Sequence, residues 1–419
     1  MSRVMKDSGI PWIGEIPKEW MFLRFKFAGK FVKGKLPETS NNENIGLPIV
    51  GASEILGKEC RLYTEDVNIP TCTLNDVIIL WDGANAGITA TNLEGVISST
   101  AVKYSCKDNR VYKKYMAFLM KYAEYYFKEK VGGTTIPHMN IEYINDFPLL
   151  SPTLDEQRAI ADFLDVKCAE VDELIALQEK MIDELKVYKQ SVITEAVTKG
   201  LNPDAPLKDS GIEWIGQIPQ HWEVRRLKNI GSAQNGLTYS PIDVCDENQG
   251  ILVLRSSNIQ NGKLAFDDNV YVSVNKVPNN LLVCKGDIII CSRNGSASLV
   301  GKSALVTDDI SACFGAFMMR FRSNEDYRYT YNLLTAAITQ YKQLFSTSTI
   351  NQLTIGIFSG LAMPFTRNKE EQQQIADYLD TKCAEIDEMT SIKQKKIEQL
   401  KEYKKSIIYE YVTGKRQII

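Results

Sequence analysis

The chain is written twice. Residues 7–20 read DSGIPWIGEIPKEW and residues 209–222 read DSGIEWIGQIPQHW, with ten of fourteen positions identical. The register continues: Arg24 matches Arg226, Lys26 matches Lys228, Gly29 matches Gly231 and Gly34 matches Gly236. A longer block also recurs. DEQRAIADFLDVKCAEVDELIALQEKMIDELKVYKQSVITEAVT at 155–198 returns as EEQQQIADYLDTKCAEIDEMTSIKQKKIEQLKEYKKSIIYEYVT at 370–413, roughly half identical and free of Gly and Pro. Between these blocks the halves diverge almost completely. Such a chain has to fold as two copies of one frame, each carrying a different insert.

The long blocks have the pattern of helices. Apolar residues recur at Leu164, Val171, Leu174, Met181, Leu185, Tyr188 and Val192, and at Leu379, Ile386, Met389, Leu400, Tyr403 and Ile407, in heptad-like steps. Gln178 and Lys393 interrupt the stripe at equivalent places. At 1.5 Å per residue each block spans roughly 65 Å. So narrow a stripe on so long a helix needs a partner, and the most economical partner is the other copy, laid antiparallel. The alternative is two separate helices, each packed on its own domain.

The divergent stretches carry short apolar runs bounded by turn residues, which predict buried strands: 48–52, 74–81, 251–257, 285–291 and 316–321. Helical patterns follow at 112–130 and 327–345. Each stretch is therefore a mixed α/β (α+β) domain of about 150 residues. The expected order is a first domain at 1–153, a helix at 154–200, a second domain at 201–368 and a helix at 369–419. Residues 202–211, NPDAPLKDSG, have the composition of a linker.

Composition narrows the function classes. The 419 residues carry a net charge of −3, so this is not an indiscriminately basic binder of nucleic acid or membrane. The start, MSRVMKDSGIPW, lacks the apolar run of a signal peptide, and no 18-residue apolar stretch occurs. The nine cysteines are odd in number and form no CxxC pair, which points to reduced thiols in a cytoplasmic protein. With two histidines, His138 and His221, there is little material for a histidine-based metal site.

Catalytic signatures fail on spacing. Gly295 to Ser303, GSASLVGKS, has one residue too many between its glycines for a phosphate-cradling loop. No aromatic methyltransferase clamp and no carboxylate–lysine cluster of the nuclease type occurs. A binding protein is favoured over an enzyme. Residues 151–200 hold eleven acidic against six basic residues, so the first long helix suits a protein partner or plain solvent better than phosphate.

The candidates for DNA contact come from residue type and loop context. Arg24, Lys26, Arg226 and Lys228 lie in repeated basic clusters suited to phosphate, although charge also guards exposed strand edges. Polar, glycine-containing loops after the buried strands offer side chains that match base edges. These are Asn85, Thr134, Thr135, His138 and Asn140 in the first half. In the second they are Arg255, Asn258, Arg293, Asn294, Asn351 and Gln352.

The duplicated IPxxW motif, two divergent domains and two helices of the EQxxIAxxLDxKxxxID type resemble the specificity subunit of Type I restriction–modification systems. The motif stands here as Glu156-Gln157, Ile160-Ala161-Asp162-Phe163-Leu164-Asp165, and again as Glu371-Gln372, Ile375-Ala376-Asp377-Tyr378-Leu379-Asp380. One departure is visible: Pro152 closely precedes the first Glu-Gln pair, whereas Pro364 is displaced by several residues. The resemblance implies two globular target recognition domains in a pseudo-two-fold arrangement, separated by two long antiparallel coiled-coil helices. It implies a non-catalytic chain that reads a split, asymmetric double-stranded DNA target. Its helices would set the distance between half-sites and dock two modification (methyltransferase) subunits, which restriction subunits join. S-adenosylmethionine would bind the modification subunits, not this chain. The competing expectations are a coiled-coil scaffold that never touches DNA, and an enzyme with an unrecognised site.

Overall fold

A computed structural model of the chain describes residues 3–11, 13–60, 62–129, 138–342 and 351–418. The described residues form two compact units. Unit 1 holds residues 1–179 with 394–419, and unit 2 holds residues 180–393.

The strongest apolar runs become the centres of two matching sheets. In unit 1, Val77–Leu80 is buried at every position. It lies in an antiparallel sheet ordered Gly29–Lys33, Ala101–Cys106, Val77–Leu80, Thr89–Ala90. In unit 2, Ile288–Cys291 takes the same place in the order Gly231–Asn235, Met318–Ser323, Ile288–Cys291, Ser303–Leu305. Strands buried on both faces read as continuous apolar runs rather than alternating ones. Each unit adds a second four-stranded sheet with one parallel pair, Leu47–Val50 with Gly95–Ile97 in unit 1 and Gly250–Leu254 with Ala312–Phe314 in unit 2. Helices Lys113–Glu129 and Tyr327–Tyr341 pack their buried faces into the respective cores. The matched Gly34 and Gly236 follow the edge strands where a Cβ would clash with the backbone carbonyls of Ser98 and Phe314.

The short repeated motif is a hairpin followed by an anchor. Met5–Asp7 pairs with Glu15–Pro17, and Leu207–Asp209 pairs with Gln217–Pro219. The stretch with linker composition is therefore already hairpin from Leu207 onward. Trp20 and Trp222 are each 0% exposed. Their indole N–H groups donate to Glu156 (3.1 Å) and Glu371 (3.0 Å), the glutamates of the two Glu-Gln pairs. The neighbouring Gln157 and Gln372 are fully buried. The Gln157 amide donates to the Arg110 and Pro152 carbonyls and accepts from the Tyr112 N–H. That of Gln372 donates to the Thr366 carbonyl and accepts from the Asp326 N–H. The motifs thus tie each domain to the start of a long helix.

Those helices run Leu154–Lys199 and Lys369–Val412. Within unit 1, Phe163 meets Tyr411 and Asp172 meets Lys404 (2.6 Å), so the two segments run antiparallel. Unit 2 repeats this, with Lys189 on Asp387 (2.6 Å) and Gly200 beside Glu371. Most of the expected stripe is covered: Leu164, Val171, Met181, Leu185 and Val192, with Leu379, Ile386, Leu400 and Ile407, are buried or half-buried. Leu174, Tyr188, Met389 and Tyr403 are exposed. Their places on the covered face are taken one position further on, by Ile175, Lys189, Thr390 and Lys404. A lone partner covers only a 3.5-residue seam, so apolar residues on its flank stay outside. All nine cysteines are free.

Candidate nucleic-acid interface

In both units, three chain segments meet where the central buried strand ends. In unit 2 the Ser292 and Arg293 N–H groups both donate to the Phe317 carbonyl (2.9 and 3.1 Å), and the Leu353 N–H donates to the Ser292 carbonyl (2.7 Å). Arg293 and Gln352 form a bridge there. In unit 1 the Trp81 and Asp82 N–H groups both donate to the Thr100 carbonyl (2.8 and 3.3 Å), and the Met139 N–H donates to the Trp81 carbonyl (3.0 Å). Asp82 and His138 form the bridge. The backbone bonds are the same; the side chains they hold are not. Arg293 takes the place of Asp82, Phe317 that of Thr100, and Gln352 that of His138.

The second-half candidates fall into three groups. Arg293 and Gln352 are exposed on the loop surface. Asn294 and Asn351 brace it: their amides donate to Ser256 Oγ (3.4 Å) and to the Gly295 carbonyl (3.3 Å). Arg255 is half-buried and ion-paired with Asp268 (2.8 Å). Asn258 is 1% exposed, with its carbonyl held by the Arg255 N–H and its amide N–H groups by the Ala265 and Asp268 carbonyls. A base edge cannot reach it without opening the loop, so Asn258 is corrected from a reader to a brace. In the first half, Asn85, His138 and Asn140 are exposed, His138 in the bridge to Asp82. Thr134 and Thr135 lie outside the described residues.

The basic pairs stand apart from these loops. Strand Gly29–Lys33 has Lys33 at its loop end, with Nζ 3.4 Å from Asp82 and over the Trp81 ring. Arg24 and Lys26 precede its other end, about 13 Å away at 3.3 Å per residue. Both contact Asp146, at 3.1 and 2.6 Å. The Lys26 ammonium, helped by Arg24, holds the Asp146 carboxyl below its usual range. Arg226 and Lys228 are exposed and form no ion pair among the described residues.

Residue type alone missed Phe317, which is not polar. Lys33 belongs by sequence to the basic cluster of Arg24 and Lys26, and Asp82 to the polar loop 81–87, but neither stands out there. Only the paired geometry of the two units brings them forward. Among the described residues, no group of three or more His, Cys, Asp or Glu is placed to hold a metal ion, and no helix is long and apolar enough to cross a membrane.

The likeness to known proteins covers both halves. Residues 17–187 and 219–413 match the Type I restriction modification DNA specificity domain. The Type I restriction enzyme MjaVIII specificity subunit of Methanocaldococcus jannaschii is 26% identical over 96% of this chain and 94% of its own. The EcoKI specificity subunit of Escherichia coli K12 is 28% identical over 48% of this chain and 44% of its own. The fold matches a solved chain, from work on complex assembly and conformational transition of the type I R-M system, with a TM-score of 0.69. That match has 16% identity and covers 96% of this chain and 99% of the other. Two matched halves on one duplicated frame place the chain in the Type I restriction modification DNA specificity domain family, as a specificity subunit of a Type I restriction–modification system.

Proposed function

We propose that the chain reads a bipartite, asymmetric duplex DNA target, with one half-site per unit, and performs no catalysis itself. The observation that carries this is the pair of loop clusters. One set of backbone hydrogen bonds occurs in both units and presents Asp82, Thr100 and His138 in one, Arg293, Phe317 and Gln352 in the other. A fixed frame with unlike side chains is what independent readout of two unlike half-sites requires. A scaffold has no need of it. The exposed loop residues Asn85, His138, Asn140, Arg293 and Gln352 face bases, and Thr134 and Thr135 belong with them by sequence. Arg226 and Lys228, together with Arg24 and Lys26, take phosphates.

The chain works with two modification subunits, which bind S-adenosylmethionine, and with restriction subunits, in the cytoplasm. Two equal surfaces support the pairing. Leu174, Leu177 and Tyr403 are exposed in unit 1, and their repeat equivalents Met389, Ile392 and Tyr188 in unit 2. Large apolar side chains kept in water at matched positions suit two copies of one protein. With a net charge of −3 the chain lacks the cation excess of a solitary DNA binder. It is therefore expected to bind duplex weakly alone and tightly with modification subunits. A gel shift with and without those subunits tests this; no sequence-specific shift in either case overturns the reading.

A further inference from the structure

Unit 2 carries an aromatic ring that its fold does not use. Phe317 is 60% exposed, in the middle of a polar loop cluster. Its carbonyl oxygen nevertheless accepts three hydrogen bonds, from the Ser292 N–H, Ser292 Oγ and the Arg293 N–H, at 2.9, 3.0 and 3.1 Å. Strand Met318–Ser323 begins at the next residue. The backbone that carries the ring is therefore clamped. The equivalent residue of unit 1, Thr100, accepts the same two backbone bonds without an aromatic side chain, so the frame does not require one. The Arg293 guanidinium lies over the ring, 5.4 Å from its centroid. Arg293 is exposed and has no ion pair among the described residues.

We propose that Arg293 and Phe317 act as one device, reading a guanine and a thymine of the neighbouring base pair in the half-site addressed by unit 2. A guanidinium donates two parallel hydrogen bonds to O6 and N7 of guanine, and an apolar ring packs against the C5 methyl of thymine. Stacking on Phe317 orients the Arg293 fork before DNA arrives, which removes rotamers that binding would otherwise have to freeze. Guanine and thymine do not pair with each other, and the 5.4 Å separation, against a rise of about 3.4 Å per step, restricts the two contacts to neighbouring base pairs. Asp82 and Thr100 offer unit 1 neither group, so the device belongs to one half-site only. The inference deepens the DNA-reading proposed above and rests on it.

The test uses the full chain assembled with its modification subunits, methylating a pool of duplexes randomised across both half-sites. Wild type defines the preferred target. Arg293→Lys is expected to lose roughly 10- to 100-fold discrimination at one guanine. Phe317→Ala is expected to lose preference at the neighbouring thymine. Replacing that thymine by uracil, which deletes only the methyl group, should lower wild-type methylation about three- to fivefold and leave Phe317→Ala unchanged. Phe317→Leu, which keeps an apolar side chain, should retain part of the uracil effect. Preference at the other half-site stays constant and certifies that each variant is assembled. If both variants keep the wild-type preference at every position, the Arg293–Phe317 pair is overturned while DNA reading stands. If wild type itself selects no sequence, the DNA-reading proposal falls, and this inference with it.

Discussion

Trp20 and Trp222 show how a short motif earns its repetition. Each indole is fully buried and hydrogen-bonded to the glutamate that opens a long helix. Trp222→Ala removes both the packing and the bond, and should cost roughly 3–5 kcal/mol in a denaturant titration of the whole chain. Glu371→Ala should cost less, because the indole keeps its burial. These residues were legible because both partners of each contact lie in repeated blocks. Loop readers were not: Asn258 and Asn294 share a type and a context with exposed neighbours, and composition does not say which amide turns inward. The thiols give a second residue-scale test. Burial pushes Cys72 and Cys313 up to about 11, so both stay protonated at neutral pH. Cys284 is exposed. Alkylation of the native chain followed by peptide mass mapping should label Cys284 first and leave Cys72 and Cys313 unmodified until denaturant is added.

At the scale of elements, the helix ends matter as much as the helices. Gly200 and Gly414 follow the two long helices at φ +71° in both cases, the left-handed geometry that favours glycine. A Cβ on Gly414 would lie 2.5 Å from Pro17, whereas one on Gly200 would meet Trp222 only at 3.4 Å. Gly200→Ala should therefore cost about 1–2 kcal/mol from backbone strain, and Gly414→Ala distinctly more, as thermal melts of the two variants would show. Five of the strands and both long helices could be read from apolar runs and periodicity; sheet strands such as Gly29–Lys33 and Ala101–Cys106, whose runs are mixed with polar residues, were not. The seam could not. Apolar residues lie on the covered face and on its flank, and a period of 3.5 fits a stripe through Leu174 as well as one through Ile175. Only the antiparallel contacts inside each unit, Asp172 with Lys404 and Lys189 with Asp387, decide between them.

For the molecule as a whole, the duplication announced two units, but not how the chain is shared between them. Compactness divides both long helices in mid-course, after Glu179 and after Lys393. Repeats report which segments are alike; they carry no information on where a helix passes from one core to the next. A helix common to both units is the natural place to alter the target. Four residues inserted near Lys186 add about 6 Å of helix. They should lengthen the unread gap between half-sites by roughly one to two base pairs, visible when methylated sites are mapped before and after; an unchanged gap would count against this role.

The return of residues 394–419 to unit 1 also orders events during synthesis. Ile407, Ile408, Tyr411 and Val412 complete the core begun by Phe25 and Trp20, so that core stays open until residues 407–412 have left the ribosome. Unit 2 is contiguous, residues 180–393, and has all its parts sooner. The half that is translated first is thus the half that closes last, against the usual N-to-C order of domain folding, and the unfinished core must be kept from wrong partners while it waits.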